Sequence, residues 1–271
     1  MPAPSGTAET LRVSLLRRAH ELVAEHLVPG ALGALLSGSA VYPGTPAADC
    51  DLDIFLVLED DALARIPSRK RTVMIVDRDP PRRKIADIVY VSVTETEEWV
   101  ASTSDSRHWP LQYAVVLHDP QDLMRSLLQR GAALSDATRE DRMRVHHAEL
   151  VNSAHKARRR LACGDTANAR LVVALAVRAA VKLLSVVRGS WAPLSYVTWD
   201  ALREIGVPEA VLDVALRASE NPAAGLEELL VATETWLSEC GHQFHLERFQ
   251  LRAWRYSPAG RAANERWGYQ F

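Results

Sequence analysis

Residues 35–57 read LLSGSAVYPGTPAADCDLDIFLV, and this stretch decides the predicted fold. A short apolar run ends in Gly38-Ser39, and after eleven intervening residues Asp51-Leu52-Asp53 leads into a second, continuous apolar run. Short apolar runs bounded by turn residues are typical of buried strands. The stretch therefore predicts two buried strands joined by a loop rich in Pro, Gly and Ala.

Two carboxylates stand at the start of the second predicted strand. Side chains alternate along a strand, so Asp51 and Asp53 project to one face, about 7 Å apart along the chain. Their charges repel each other, and a divalent cation held between them removes that repulsion. Hard oxygen ligands suit Mg²⁺ or Mn²⁺. An Asp-x-Asp pair by itself more often marks a solvated strand end, and Asp49 with Asp51 is an alternative register.

A third carboxylate interrupts a later apolar strand. Asp87 stands in the middle of the run IADIV. A strand beside residues 51–58 would place Asp87 next to the acid pair, and burying it without a partner would cost roughly several kcal/mol. The sequence therefore predicts one metal site formed by Asp51, Asp53 and Asp87.

The Gly38-Ser39 turn is a second candidate binding feature. Its backbone N–H groups and the Ser39 hydroxyl are donors that suit a phosphate. A helix beginning at this turn would favour an anion further, because the N-terminus of a helix carries partial positive charge.

The rest of the chain changes periodicity near its middle. The first half predicts a helix over 7–27, strands over 72–76, 85–93 and 113–118, and a short helix over 94–101. Beyond residue 120 the spacing of apolar residues is helical, with helices predicted near 121–130, 137–162, 166–188, 197–204, 208–218 and 224–240. The predicted fold class is α+β, with a mixed-sheet domain over 1–130 followed by a helical bundle domain over 131–271.

Composition excludes several classes of protein. The chain of 271 residues is 48% hydrophobic and 24% charged, which excludes a disordered or collagen-like protein. Its 32 Lys and Arg against 34 Asp and Glu give a formal charge of -2, so no basic excess indicates nucleic acid or an anionic membrane as a partner. Three widely spaced cysteines favour a reduced, cytoplasmic protein.

The order of these features resembles the DNA polymerase β-like nucleotidyltransferase superfamily. Its motif is an apolar residue, Gly-Ser, a loop and then Asp-apolar-Asp, which stands here as GSAVYPGTPAADCDLD. The form is most similar to the small-molecule branch, which includes aminoglycoside and lincosamide nucleotidyltransferases. Two departures are Cys50, where many relatives have Ser, and Asp87, where some antibiotic-modifying relatives have Glu.

The resemblance implies an activity and a set of site residues. Asp51, Asp53 and Asp87 would be the catalytic metal ligands for two Mg²⁺ ions, with Mn²⁺ as a substitute. Gly38 and Ser39 would contact the β- and γ-phosphates of a nucleoside triphosphate, with ATP as the expected donor. Members of the branch often place a Lys of the first long C-terminal helix on the phosphates, which implicates Lys156. Basic residues near a helix C-terminus also commonly face solvent.

The implied reaction transfers AMP to a hydroxyl of a small molecule and releases pyrophosphate. An aminoglycoside acceptor would need further acids, for which Glu97, Glu98, Asp105 and Glu149 are available. Two alternatives stay open, AMP transfer to a protein as in antitoxin-type relatives, and a catalytically silent nucleotide-binding relative. The arginines and aromatic residues over 244–271 favour packing or a homodimer over a contact with RNA.

Overall fold

The computed structural model describes residues 6–44, 46–47, 49–77, 83–242 and 253–267. The chain divides into two compact units, Met1–Ala133 and Leu134–Phe271. Of the arginine- and aromatic-rich tail over 244–271, residues 244–252 and 268–271 lie outside the described residues, and with them much of the segment proposed for self-association.

The first unit is a five-stranded mixed sheet with helices on both faces, which confirms the predicted α+β fold class. The strand order is β3-β4-β2-β1-β5; β2 and β4 are parallel, and the other neighbours are antiparallel. Its elements are α1 (Gly6–His26), β1 (Ala31–Ser37), β2 (Leu52–Leu58), α2 (Asp60–Ala64), β3 (Thr72–Val76), β4 (Lys84–Ser92), α3 (Val93–Ala101), α4 (Asp105–Tyr113), β5 (Val115–His118) and α5 (Leu123–Ala132).

The two faces of this sheet bury different apolar layers. On one face, Ala19 and Leu22 of α1 pack against Ile54 and Leu56 of β2. On the other face, Leu127 of α5 joins a cluster whose remaining buried members come from β1, β2, β4, α4 and α5. Alternate side chains of β2 point to opposite faces of the sheet. Asp53 therefore lies on the face that α3, α4 and α5 cover farther along the strand.

The helix α4 (Asp105–Tyr113) was not predicted from the sequence. It contains Pro110, and its sequence DSRHWPLQY has no regular apolar spacing. The strand predicted to begin at Tyr113 begins instead at Val115, because Tyr113 completes the last turn of α4. Tertiary packing stabilises this helix, because its own residues Trp109 and Leu111 are buried.

The second unit consists of helices in its described residues, as predicted. They are α6 (Asp136–Ala162), α7 (Thr166–Val187), α8 (Thr198–Glu204), α9 (Glu209–Glu220), α10 (Pro222–Glu239) and α11 (Pro258–Trp267). The apolar helix α7 supplies much of the buried core, including Val173, Leu183 and Leu184. Within the described part of the chain, no helix is both long enough and apolar enough to cross a membrane.

One buried cation joins three segments of the second unit. Arg142 of α6 is 1% exposed. Its guanidinium carbon lies 4.6 Å from the ring centroid of Trp191 and 5.1 Å from that of Trp267 in α11. A desolvated guanidinium between two indole faces is a favourable cation–π arrangement. Arg142 therefore helps to fix α11 and the segment after α7 against α6.

We expect Arg142→Met to lower the free energy of unfolding by about 2–4 kcal/mol, because the cation–π contacts and the polar partners of the guanidinium are lost together. Chemical denaturation followed by tryptophan fluorescence measures the change. The matched control is Arg170→Met on the exposed face of α7, which we expect to stay within about 0.5 kcal/mol of the parent. Equal unfolding energies for both variants would contradict a structural role for Arg142.

Candidate metal centre

Three aspartates meet at the beginning of β2 and β4. In the parallel register of these strands Asp53 lies directly beside Asp87, and Asp51 precedes β2 on the same face. One carboxylate oxygen from each of Asp51, Asp53 and Asp87 lies within 4.8 Å of the other two. All three are partly buried. The structure thus brings together the three acids that the sequence predicted as metal ligands.

The turn after β1 fits closely against one of these acids. Gly38 has φ of +80°, and a Cβ at this position would lie 2.0 Å from Oδ2 of Asp53. Ser37 is the cross-strand partner of Asp53 in the antiparallel β1–β2 pair. Only glycine combines this left-handed backbone with the space that the carboxylate occupies. Gly38 therefore shapes the position of Asp53.

Ser39 follows in a single turn that does not continue into a regular helix. The turn is closed by hydrogen bonds from the backbone N–H groups of Val41 and Tyr42 to the carbonyl oxygen of Gly38. No helix begins at this turn, so the helix N-terminus that the sequence analysis considered as an anion site is not present here. The Ser39 side chain is hydrogen-bonded with Cys50, whose thiol pKa is raised mainly by burial.

The first tyrosine after this turn belongs to the site, and sequence reasoning missed it. The Tyr42 hydroxyl is 3.1 Å from Oγ of Ser37, and its ring packs 4.6 Å from the ring centroid of Trp109. Burial raises the pKa of Tyr42, and the charge of Asp53 raises it further. Tyr42 therefore connects the acid site to the aromatic packing of α4.

Lys84, one residue before the strand predicted over 85–93, lies among the acids. Nζ of Lys84 forms an ion pair with Oδ2 of Asp51 and another, at 2.9 Å, with Oδ2 of Asp87. These carboxylates raise the pKa of Lys84 well above its usual value. The β3–β4 pairing shifts register between Ile75 and Val76, which breaks the alternation of side chains at the start of β4. This irregularity explains why strand periodicity gave no signal for Lys84.

One positive charge does not balance three negative ones. Burial first, and then the charges of Asp51 and Asp87, raise the pKa of Asp53 to about 6, against the opposing effect of Lys84. Oδ1 of Asp87 is buried and has no hydrogen-bond partner among the described residues. A buried, unpaired carboxylate oxygen beside two further carboxylates is a donor set that fits a hard divalent cation.

Two other residues considered from the sequence, Asp49 and Lys156, do not belong to this cluster of acids. Asp49 is exposed and is not part of the group of clustered acids. Lys156 is an exposed residue of α6 in the second unit, and its role in binding phosphate stays a prediction.

The chain matches no protein-family model and no curated protein sequence. Among solved structures it is similar to a nucleotidyltransferase-like protein from Exiguobacterium sibiricum, with a TM-score of 0.46 and 13% identity. The match covers 92% of this chain and 78% of that chain.

We expect Gly38→Ala to weaken Mn²⁺ binding strongly, because the added methyl group takes the place of the Asp53 carboxylate. Gly164→Ala is the matched control: Gly164 has φ of +73°, but a Cβ there would meet nothing within 4 Å. Both variants carry the backbone strain of about 1 kcal/mol or more. Only Gly38→Ala should change the Mn²⁺ affinity measured by calorimetry, and an unchanged affinity would contradict the proposed fit.

We expect Asp53→Asn to stabilise the protein in EDTA at pH 7.5. A carboxyl whose folded pKa is raised to about 6 destabilises the fold when it ionises, by about 1–2 kcal/mol after allowance for its partial exposure. The penalty grows as the pH rises from about 4 through 6, so the melting temperature should rise by roughly 2–6 °C at pH 7.5 and much less at pH 4.5.

The comparison variant for this effect is Asp51→Asn. Asp51 forms an ion pair with Lys84, so its replacement removes a favourable contact as well as a negative charge. We expect no gain in melting temperature for Asp51→Asn at pH 7.5. Equal stabilisation by both variants would show that the repulsion is shared evenly instead of being concentrated on Asp53.

Proposed function

We propose that this protein is a metal-dependent nucleotidyltransferase that transfers a nucleoside monophosphate to a hydroxyl group. The observation that carries the proposal is the convergence of Asp51, Asp53 and Asp87 beside the Gly38 turn, in the order of the sequence motif. The donor would be a nucleoside triphosphate, with ATP as the leading candidate from the sequence resemblance. Mg²⁺ would be the physiological cation, in two sites, and Mn²⁺ would substitute for it.

The three acids would hold the metal ions and orient the acceptor hydroxyl. Asp51, Asp53 and Asp87 would bind divalent cations through their carboxylate oxygens. Such cations, when bound, neutralise a polyphosphate and acidify an acceptor hydroxyl. Oδ1 of Asp87, which has no hydrogen-bond partner among the described residues, would orient the acceptor or take its proton.

The reaction balances with no further reactant. A bond forms between the acceptor oxygen and the α-phosphorus of the triphosphate as the bond from that phosphorus to the bridging oxygen of the β-phosphate breaks. The acceptor proton leaves to a carboxylate or to water, and pyrophosphate departs. The Gly38-Ser39 turn would contact the β- and γ-phosphates, where the Ser39 hydroxyl would exchange its contact with Cys50 for a phosphate oxygen. Lys156 would add positive charge to the phosphates.

A small molecule with a free hydroxyl, such as an aminoglycoside or another natural product, is the acceptor class that the sequence resemblance suggests. The acids considered for a cationic acceptor are partly committed elsewhere. Glu97 is paired with Arg130 at 2.6 Å, and the buried Glu149 lies 3.1 Å from Nδ1 of His146. Glu98 is exposed and has no such ion pair among the described residues. Within this acceptor class, the pairing of these acids favours a natural product with few positive charges over an aminoglycoside.

The proposal is tested by the thermal stability of the protein with ATP, GTP, CTP and UTP, each with and without Mg²⁺. We expect one nucleotide to raise the melting temperature only when Mg²⁺ is present, by several degrees when its concentration is about 100 times the dissociation constant. Asp53→Asn and Asp87→Asn should abolish this shift and remain folded. A Mg²⁺-independent shift, or one retained in both variants, would contradict the proposed metal site.

A further inference from the structure

Lys84 occupies the position where a cation is needed. Its Nζ contacts Oδ2 of both Asp51 and Asp87, two of the three acids whose oxygens converge. A divalent cation that bridges these two oxygens would occupy the space where Nζ lies, and its charge would repel the ammonium. Cation binding and the Lys84 ion pairs are therefore mutually exclusive at these two atoms.

The ammonium is placed so that it can leave. Lys84 is the first residue of β4, and its side chain is 39% exposed. The four-carbon stem of a lysine has several rotatable bonds and a compact, strongly hydrated charge at its end. Lys84 can therefore turn from the carboxylates toward solvent by rotation of its own side chain, with the strand in place.

We propose that Lys84 is a displaceable counter-ion of the metal site, a role that rests on the proposed function and deepens it. In the metal-free protein Lys84 holds Asp51 and Asp87 together against their mutual repulsion. It gives up these oxygens when a divalent cation binds. The released ammonium, still tethered beside the site, then pairs with the phosphates of the nucleoside triphosphate.

The charges support each part of this exchange. With Lys84 in place the cluster of Asp51, Asp53 and Asp87 still carries two uncompensated negative charges, so a divalent ion gains more from the acids than the ammonium does. A triphosphate that arrives with its metal brings excess negative charge to the same place. An ammonium next to it forms charge-assisted hydrogen bonds with phosphate oxygens.

The proposal predicts opposite effects of one substitution on two ligands. Lys84→Met should tighten the binding of Mn²⁺ without nucleotide by about ten-fold, because the competing cation is gone. At a Mg²⁺ concentration that saturates both proteins, the same variant should bind ATP about ten-fold more weakly, because the phosphate partner is gone. A residue with a merely structural role would weaken both ligands together.

Electron paramagnetic resonance of free Mn²⁺ and calorimetry of ATP binding measure these two affinities on the full chain. Lys84→Arg keeps the charge and should restore ATP binding, and Lys84→Gln serves as a second neutral variant if Lys84→Met does not fold. Lys70→Met is the matched control, since Lys70 is exposed and precedes the opposite end of β3. Lys70→Met should change neither affinity.

The outcomes separate this proposal from the proposed function. If the parent protein binds Mn²⁺ and the neutral variants bind it equally well, Lys84 is no counter-ion, while the metal site stands. If Mn²⁺ binding tightens but ATP binding at saturating Mg²⁺ is unchanged, the contact with phosphate is overturned. If neither the parent nor the neutral variants bind Mn²⁺, both proposals fail.

Discussion

The repulsion between three carboxylates at the start of two parallel strands is the constraint on which the rest of the site depends. The β2–β4 register places Asp53 beside Asp87, and this pairing forces their charges together. The protein accommodates them with the ammonium of Lys84 on one side and a turn without a side chain, Gly38, on the other. The compensation is incomplete, which leaves Asp53 with a raised pKa.

The remainder of the first unit holds these acids in place. Buried apolar layers on both faces of the sheet fix the strands, so the carboxylates cannot separate by moving the backbone. Tyr42 joins the turn after β1 to Trp109 of α4 and thereby links the Gly38 turn to the packed interior. A site with this support can stay assembled without its cation, at the cost of electrostatic strain.

The sequence predicted the sheet, its acids and the glycine turn because each depends on local patterns. Asp51 and Asp53 precede an apolar run, so their shared face follows from strand periodicity. Asp87 interrupts another apolar run and joins them because the two strands are neighbours. Lys84 could not be found in this way, since its direction depends on a register irregularity between β3 and β4. The helix α4 was missed because its residues gain stability from burial of Trp109 and Leu111, which no local propensity records.

The register of β2 against β4 also bears on how the sheet assembles. A slip of one residue between these strands would turn Asp87 toward the apolar layer under α1, where it would meet no cation and no water. An ionised Asp87 would raise the free energy of the folded protein far more there than it does in the native site. The charge of Asp87 thus favours the native alignment of the two strands over the nearest alternative.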